Sequence, residues 1–354
     1  MWIAVAGDNS KLRHQKISGN MKLFLPTVMA SLMLGVATSI HAESSNTEVA
    51  NEIQSMALYL SDRLPRELTA LKIRKENETI KMEDLLVFDQ MHYEGENAMI
   101  AAIRALEVTS SSRILDIGSG YGGPARYVSW KTGGFVTALE LQPEINEEAK
   151  KMTALVGDTE VHHNDGITYL KTLLDHQVGD VISWGPQTFL HEDESLKYDG
   201  FMSMLAFLHV ENKKALFDSI GKTLKIGAKF YIEDYYQRHE LNLDDKKILK
   251  DIVSCGPLPS QSEYVRSLEE AGFSEIKFHD KTEDWAEFVA ARHEIFKSNK
   301  LNRIDVLGEL TYSALGLFYS SVAKLFKEGR LGGTVITGVF IGTDYLDSTL
   351  TEEL

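Results

Sequence analysis

Apolar residues between positions 43 and 85 recur at Ile53, Met56, Ala57, Leu60, Leu64 and Leu68, the spacing of one helical face. No strand pattern precedes position 113. Beyond it, short apolar runs alternate with amphipathic stretches of helical length. Strands are expected at Arg113–Ile117, Phe135–Leu141, Asp199–Leu205 and Lys229–Asp234, with helices at Pro124–Lys131, Pro143–Leu155 and Asn212–Leu224 between them. Further helices are expected at 241–253, 260–272 and 310–328, a strand at 275–279, and a closing strand at Thr334–Ile341. Strand and helix in alternation imply an α/β, doubly wound fold: a parallel sheet covered on both faces. It would carry a helical N-terminal region at 43–110 and a helical insertion at about 237–310, with the main domain at 111–345 and a tail at 346–354.

The extreme N-terminus breaks from this pattern. Lys22 precedes an apolar run from Leu23 to Val36, and small residues lead to Ala42. This is the layout of a secretory signal over 21–42, with 1–20 an upstream extension and Met21 a plausible start. The run is short of the roughly 20 apolar residues that span a bilayer. An exported location is therefore expected if the segment is a signal, and a cytoplasmic or membrane-anchored one otherwise.

Charge narrows the partners. The chain of 354 residues carries a formal charge of −15. Such a surface repels phosphate backbones, so no nucleic-acid partner is expected, and cationic small molecules are favoured over long range. No stable membrane association is expected once a signal is removed. With one cysteine, Cys255, the chain can form neither an internal disulfide nor a cysteine-based metal site. His162 and His163 are adjacent and would point to opposite faces of a strand, so no metal is expected there.

The segment with most chemical content is Asp116-Ile-Gly118-Ser119-Gly120-Tyr-Gly122-Gly123, between an expected strand and a helix. Glycines there permit a sharp turn and a close approach to a ligand. The amides of the turn and helix start favour polar or anionic ligand groups. A dinucleotide-binding loop would have similar glycines, with Gly123 as its third. Two acids separate the readings. Asp116 would repel a pyrophosphate and welcome an ammonium, and Glu140, ending the next strand, can accept hydrogen bonds from both ribose hydroxyls.

At these residues the chain resembles the class I S-adenosylmethionine-dependent methyltransferases, whose sheet is Rossmann-like. It looks closest to the sarcosine/dimethylglycine N-methyltransferases and the phosphoethanolamine methyltransferases. Besides the loop, the resemblance rests on Tyr198–His209, on Ile232-Glu-Asp-Tyr235 and on Glu328-Gly-Arg-Leu-Gly-Gly333. Lys225-Ile226-Gly227-Ala228 departs from the family's usual Lys-Pro-Gly-Gly turn. The resemblance implies S-adenosyl-L-methionine as methyl donor, a small-molecule methyl acceptor, and cofactor contacts from Asp116, Gly118, Ser119, Gly120, Glu140 and Leu141. It also implies a third acid for the adenine amino group. Asp165 stands at the expected distance from Glu140, whereas Gly179-Asp180 has the more typical dipeptide; the spacing favours Asp165.

Amine methylation needs an unprotonated nucleophile held in line with the methyl group, and therefore a proton acceptor nearby. His209 follows the strand Asp199–Leu205 at the edge where ligands of such sheets sit. By the resemblance it would pair with a tyrosine of an N-terminal lid, here Tyr93, with His92 as an alternative. Asp234 and Tyr235, next to Tyr236 after the fifth strand, and Tyr264 are the expected substrate-binding residues, since aromatic faces and a carboxylate suit a methylated ammonium. Trp285 is more suited to the core.

Overall fold

The computed structural model describes residues 63–75, 78–86, 91–164, 166–183 and 196–343. The expected signal segment, residues 43–62 and Asp165 lie outside them.

Helices α1 (Arg63–Arg74), α2 (Met82–Leu85) and α3 (Glu96–Leu106) lead into β1 (Arg113–Ile117), α4 (Gly123–Thr132), β2 (Phe135–Glu140) and α5 (Pro143–Val156). A hairpin, β3 (Glu160–His163) and β4 (Gly166–Tyr169), precedes β5 (Leu174–Val178). The chain continues through β6 (Tyr198–Met204), a short 3₁₀ turn (Phe207–His209), α6 (Lys213–Gly221) and β7 (Leu224–Gln237). It ends with α7 (Leu243–Val253), α8 (Gln261–Glu270), β8 (Phe273–Asp280), α9 (Thr282–Ser298), α10 (Lys300–Leu307), α11 (Glu309–Lys327) and β9 (Leu331–Phe340). None of the described helices is long and apolar enough to cross a membrane.

Seven strands form one sheet in the order β5-β2-β1-β6-β7-β9-β8. The first five are parallel, Ile114 pairing with Val136 on one side and Gly200 on the other. The sheet is mixed, not wholly parallel, because β9 runs antiparallel to both β7 and β8. The cause is the long helical excursion α9–α11. It leaves β8 at the sheet's carboxyl edge and returns the chain there, so β9 can only run backwards. Gly333 makes this return possible: a Cβ there would stand 2.0 Å from the Trp285 ring, which lies directly on the strand.

Two expectations about insertions change. The region 237–310 is not one helical block, since α8 and β8 inside it belong to the sheet and its helical layers. The cap over the site is α7 together with α9 and α11. The N-terminal region 43–110 is likewise divided. Met99, Ala102 and Leu106 of α3 are buried against Ile114, Val128 and Tyr231, which makes α3 a layer of the core. The opposite face of the sheet buries Phe201, Phe217, Phe230, Phe273 and Tyr264. A third cluster beneath the cap joins Tyr93, Tyr235, Trp285, Phe318 and Phe326.

The third strand of the parallel set is β5, which no apolar pattern announced. Its sequence Leu-Asp-His-Gln-Val pairs only with β2, at the end of the sheet. An edge strand needs only part of its surface covered, and polar side chains there discourage pairing with another chain. Val161–His163 belongs to the separate hairpin and not to the main sheet.

Candidate active site

Asp116 is the fourth residue of β1, and the turn that follows is built on Gly118, Gly120 and Gly122, all at positive φ. Gly118 has φ +71°, and a Cβ there would lie 2.2 Å from that of Ala206. The Gly118 and Ser119 amides both donate to the Leu139 carbonyl, at 2.9 and 3.0 Å, which ties the loop to β2. The Gly120 amide donates to Glu140 Oε2 at 2.8 Å, and the Gln142 amide to Oε1 at 3.0 Å. Glu140 is thus fixed at the loop with lone pairs to spare, and burial raises its pKa.

Asp116 is more conspicuous. It is buried, and Oδ2 finds no hydrogen-bond partner among the described residues. Burial, and then the charge of Glu140, push its pKa up to about 8, against the pull of the Ala125 amide. A buried carboxyl group without a cation is costly unless a ligand supplies one. Ser119 Oγ is a second buried orphan, on the same loop. The donor set therefore fits a ligand with an ammonium and a ribose, as the expected methyl donor has.

Topology distinguishes the surroundings of the two candidate third acids. β5 is the strand beside β2, and Gly179-Asp180 follows it, with the Gly179 amide donating to the Glu140 carbonyl at 2.9 Å. The β3–β4 hairpin lies in the interval between Glu140 and Asp180. Asp165 lies outside the described residues; Asp180 follows the carboxyl end of β5, the strand at the edge of the sheet. Leu141, next to Glu140, packs partly buried against the apolar cluster beneath the cap.

A cleft continuous with solvent opens over the loop. His92, Tyr93, His209, Tyr235 and Arg292 line it together with Asp116. His209 sits in the 3₁₀ turn after β6, and its Nδ1 is 2.8 Å from the Ser254 carbonyl. A carbonyl can only accept, so Nδ1 carries the proton and Nε2 keeps a free lone pair. Burial drives the imidazole pKa down to about 4, so the ring is neutral at neutral pH.

Tyr93 does reach this cleft, but its hydroxyl is bonded to the Tyr235 hydroxyl, not to His209. Trp285 meets the Tyr93 ring edge-on, at 5.0 Å between centroids, and holds it in place. His92 is buried; its Nδ1 is 2.9 Å from the Tyr93 carbonyl and 3.9 Å from Glu233 Oε2. Burial lowers the His92 pKa to about 4 and raises that of Glu233 to about 8.

Two expected substrate residues are elsewhere. Asp234 is fully buried on the opposite side of β7, where Tyr264 donates to its Oδ2 at 2.8 Å and Lys213 lies 3.9 Å away. Successive residues of a strand face opposite sides, so Tyr235 in the cleft obliges Asp234 to turn from it. Tyr264 follows Asp234 into the core. Loss of the Tyr264 hydroxyl in Tyr264→Phe should therefore cost about 1–3 kcal/mol of stability by chemical denaturation. The KM for the methyl acceptor should stay unchanged; a raised KM would restore Tyr264 to the substrate site.

Arg292 and Glu233 were not anticipated. Both sit where periodicity alone asks for apolar residues, and a charge in such a register is the signal that could have found them. Among the described residues no cluster of three His, Cys, Asp or Glu side chains could hold a metal ion.

The family model described as mycolic acid cyclopropane synthetase matches residues 90–332, more than half of the chain. The chain belongs to that family, within the class I S-adenosylmethionine-dependent methyltransferases. The sarcosine/dimethylglycine N-methyltransferase of Halorhodospira halochloris is 27% identical over 171 residues, which is 48% of this chain and 54% of that protein. The phosphoethanolamine N-methyltransferase of Plasmodium falciparum is 25% identical over 63% of this chain and 76% of its own length. This family member thus spans about half the length of the first relative. Among solved structures, a Haemonchus contortus phosphoethanolamine N-methyltransferase bound to phosphomonomethylethanolamine and S-adenosylhomocysteine gives a TM-score of 0.63. That match has 17% identity and covers 82% of this chain and 60% of the other. A Mycobacterium tuberculosis cyclopropane synthase gives 0.61 at 15% identity, over 82% and 98% of the two chains. These two likenesses are likenesses of fold.

Proposed function

We propose that the protein transfers a methyl group from S-adenosylmethionine to the nitrogen of a small amine. The observation that carries this reading is His209, a neutral imidazole whose Nδ1 is committed to Ser254, in the cleft over the glycine loop. Curated relatives that methylate small amines support it. In this reading Asp116 accepts from the donor's ammonium, Glu140 from its ribose hydroxyls and Asp180 from its adenine amino group. The bound donor supplies an electrophilic methyl on a sulfonium. His209 Nε2 takes the proton that an ammonium acceptor must lose before its lone pair is free. The Tyr93 and Tyr235 hydroxyls orient the nitrogen, and their rings favour the positive charge that methylation creates. The cap excludes water and fixes the acceptor, the main source of rate when the chemistry itself needs little help.

The test is a methyl-transfer screen that measures S-adenosylhomocysteine release with small amines, phenols, thiols, sulfides and unsaturated chains. Turnover of an amine such as dimethylglycine or phosphoethanolamine is expected. Turnover confined to oxygen, sulfur or carbon acceptors would replace the amine reading with one of those chemistries.

A further inference from the structure

One residue of the cleft has no role in this scheme. Arg292 lies on α9, on the face that carries Trp285, Phe288 and Val289, spaced one helical turn apart. That face packs inward: Trp285 and Val289 are buried in the apolar cluster and Phe288 packs against it. The guanidinium sits over three rings, 4.8 Å from the centroid of Tyr319, 4.9 Å from Tyr93 and 5.5 Å from Phe288. Its Nε is buried and has no hydrogen-bond partner among the described residues, and no described carboxylate pairs with it. Of the described residues lining the cleft it is the sole lysine or arginine. Its charge is felt by both phenols of the Tyr93–Tyr235 pair, in which it opposes the upward push of burial.

A guanidinium stacked on aromatic faces gives up water above and below its plane but keeps its in-plane N–H donors. Those donors match the flat edge of a carboxylate or two oxygens of a phosphate. A half-buried cation whose Nε is buried and finds no acceptor among the described residues, in a chain rich in unused acids, is poorly explained by packing alone. Both imidazoles of the cleft are neutral and Asp116 belongs to the donor end, so the anionic group that completes this site comes from a ligand, and the place of Arg292 beside the Tyr93–Tyr235 pair favours the acceptor over the donor's carboxylate.

We propose that Arg292 is the acceptor-recognition residue and that the acceptor is zwitterionic, an amine joined by a short linker to a carboxylate or phosphate. The inference rests on the small-amine reading above and adds to it the second charge of the substrate. The anionic group seats on Arg292, and the amine is directed past the Tyr93 and Tyr235 hydroxyls toward His209.

The test is equilibrium calorimetry on the protein saturated with S-adenosylhomocysteine, in the wild type, Arg292→Gln and Arg292→Lys. The probes are trimethylglycine, phosphocholine and choline, which share a quaternary ammonium and carry a carboxylate, a phosphate or no anion. The wild type should bind one of the anionic probes at least about 30-fold more tightly than choline. The stronger of the two identifies the anion. Arg292→Gln should abolish that preference and Arg292→Lys retain part of it, with unchanged affinity for S-adenosylhomocysteine. A wild type without preference, or a preference that survives in Arg292→Gln, overturns the assignment. Affinity for S-adenosylhomocysteine that falls in step with the probes also overturns it, because the guanidinium would then serve the donor's carboxylate. A protein that prefers anionic probes yet methylates no amine would sink the small-amine reading and leave Arg292 standing. One that methylates amines without regard to charge would do the reverse.

Discussion

His209→Gln should lower kcat for methyl transfer by about 10²–10³-fold, the usual contribution of a positioned general base. Its affinity for S-adenosylhomocysteine, measured by calorimetry, should stay within about twofold. The split follows from the geometry. His209 stands in the 3₁₀ turn after β6 and is tied to the residue after α7 through the carbonyl of Ser254, whereas the residues proposed to hold the methyl donor come from β1, β2 and their loops. Glutamine can keep a hydrogen bond to that carbonyl but cannot take a proton. The pH dependence is a second readout. With its pKa lowered to about 4, His209 is an available base down to that pH, so the acid limb it causes in kcat should fall well below the ordinary imidazole value of 6.5. Stability follows the same sign. Between pH 6.5 and 4 the unfolded chain holds the histidine proton and the folded chain does not, so this group's contribution falls as pH falls through that window. A variant with full turnover would remove His209 from the chemistry and leave a packing histidine.

The parts of this site that could be read in the chain are those whose geometry is local. Asp116, Gly118 and Gly120 are neighbours in sequence and in space, and Glu140 ends the adjacent strand, so one strand–turn–helix unit and one pairing fix the cradle. Where function depended on which side of a strand a residue faces, reading was harder. Asp234, Tyr235 and Tyr236 are consecutive, and nothing in their types says which one turns to the cleft; the register of β7 sends Tyr235 there and Asp234 to Tyr264. Spacing could not choose between Asp165 and Asp180, because a hairpin such as the one at 160–169 leaves no mark on spacing until the strand after it is known. β5 was hidden by its polar edge composition. Arg292 was out of reach for a different reason. Its importance comes from aromatic rings of α9, α11 and the Tyr93 loop, three segments that meet only in the folded chain.

Asp116→Asn should weaken binding of S-adenosylhomocysteine by about 100-fold or more, the scale of a buried charge-assisted bond to an ammonium. It should also change how binding depends on pH. In the free protein the carboxyl group has a pKa near 8, because burial and Glu140 both disfavour its charge. A ligand ammonium reverses that preference, so below pH 8 binding must expel a proton from Asp116, and affinity should climb as pH rises toward 8. Calorimetry in buffers of different ionisation enthalpy reads the released proton directly, and the asparagine variant should release none. Without ligand the sign is opposite. Between pH 3.8 and 8 the folded chain holds a proton at Asp116 that the unfolded chain has lost, so this group's contribution to stability declines as pH rises across that range. Asp116→Asn removes the penalty and should melt at a higher temperature than the ligand-free wild type at pH 8, by roughly 2–4 °C for each kcal/mol recovered. Stabilisation on one side and lost affinity on the other is the mark of a carboxylate kept for a ligand. Equal affinity in both proteins would show that Asp116 only closes the turn, and the ammonium would then have to be held by something else.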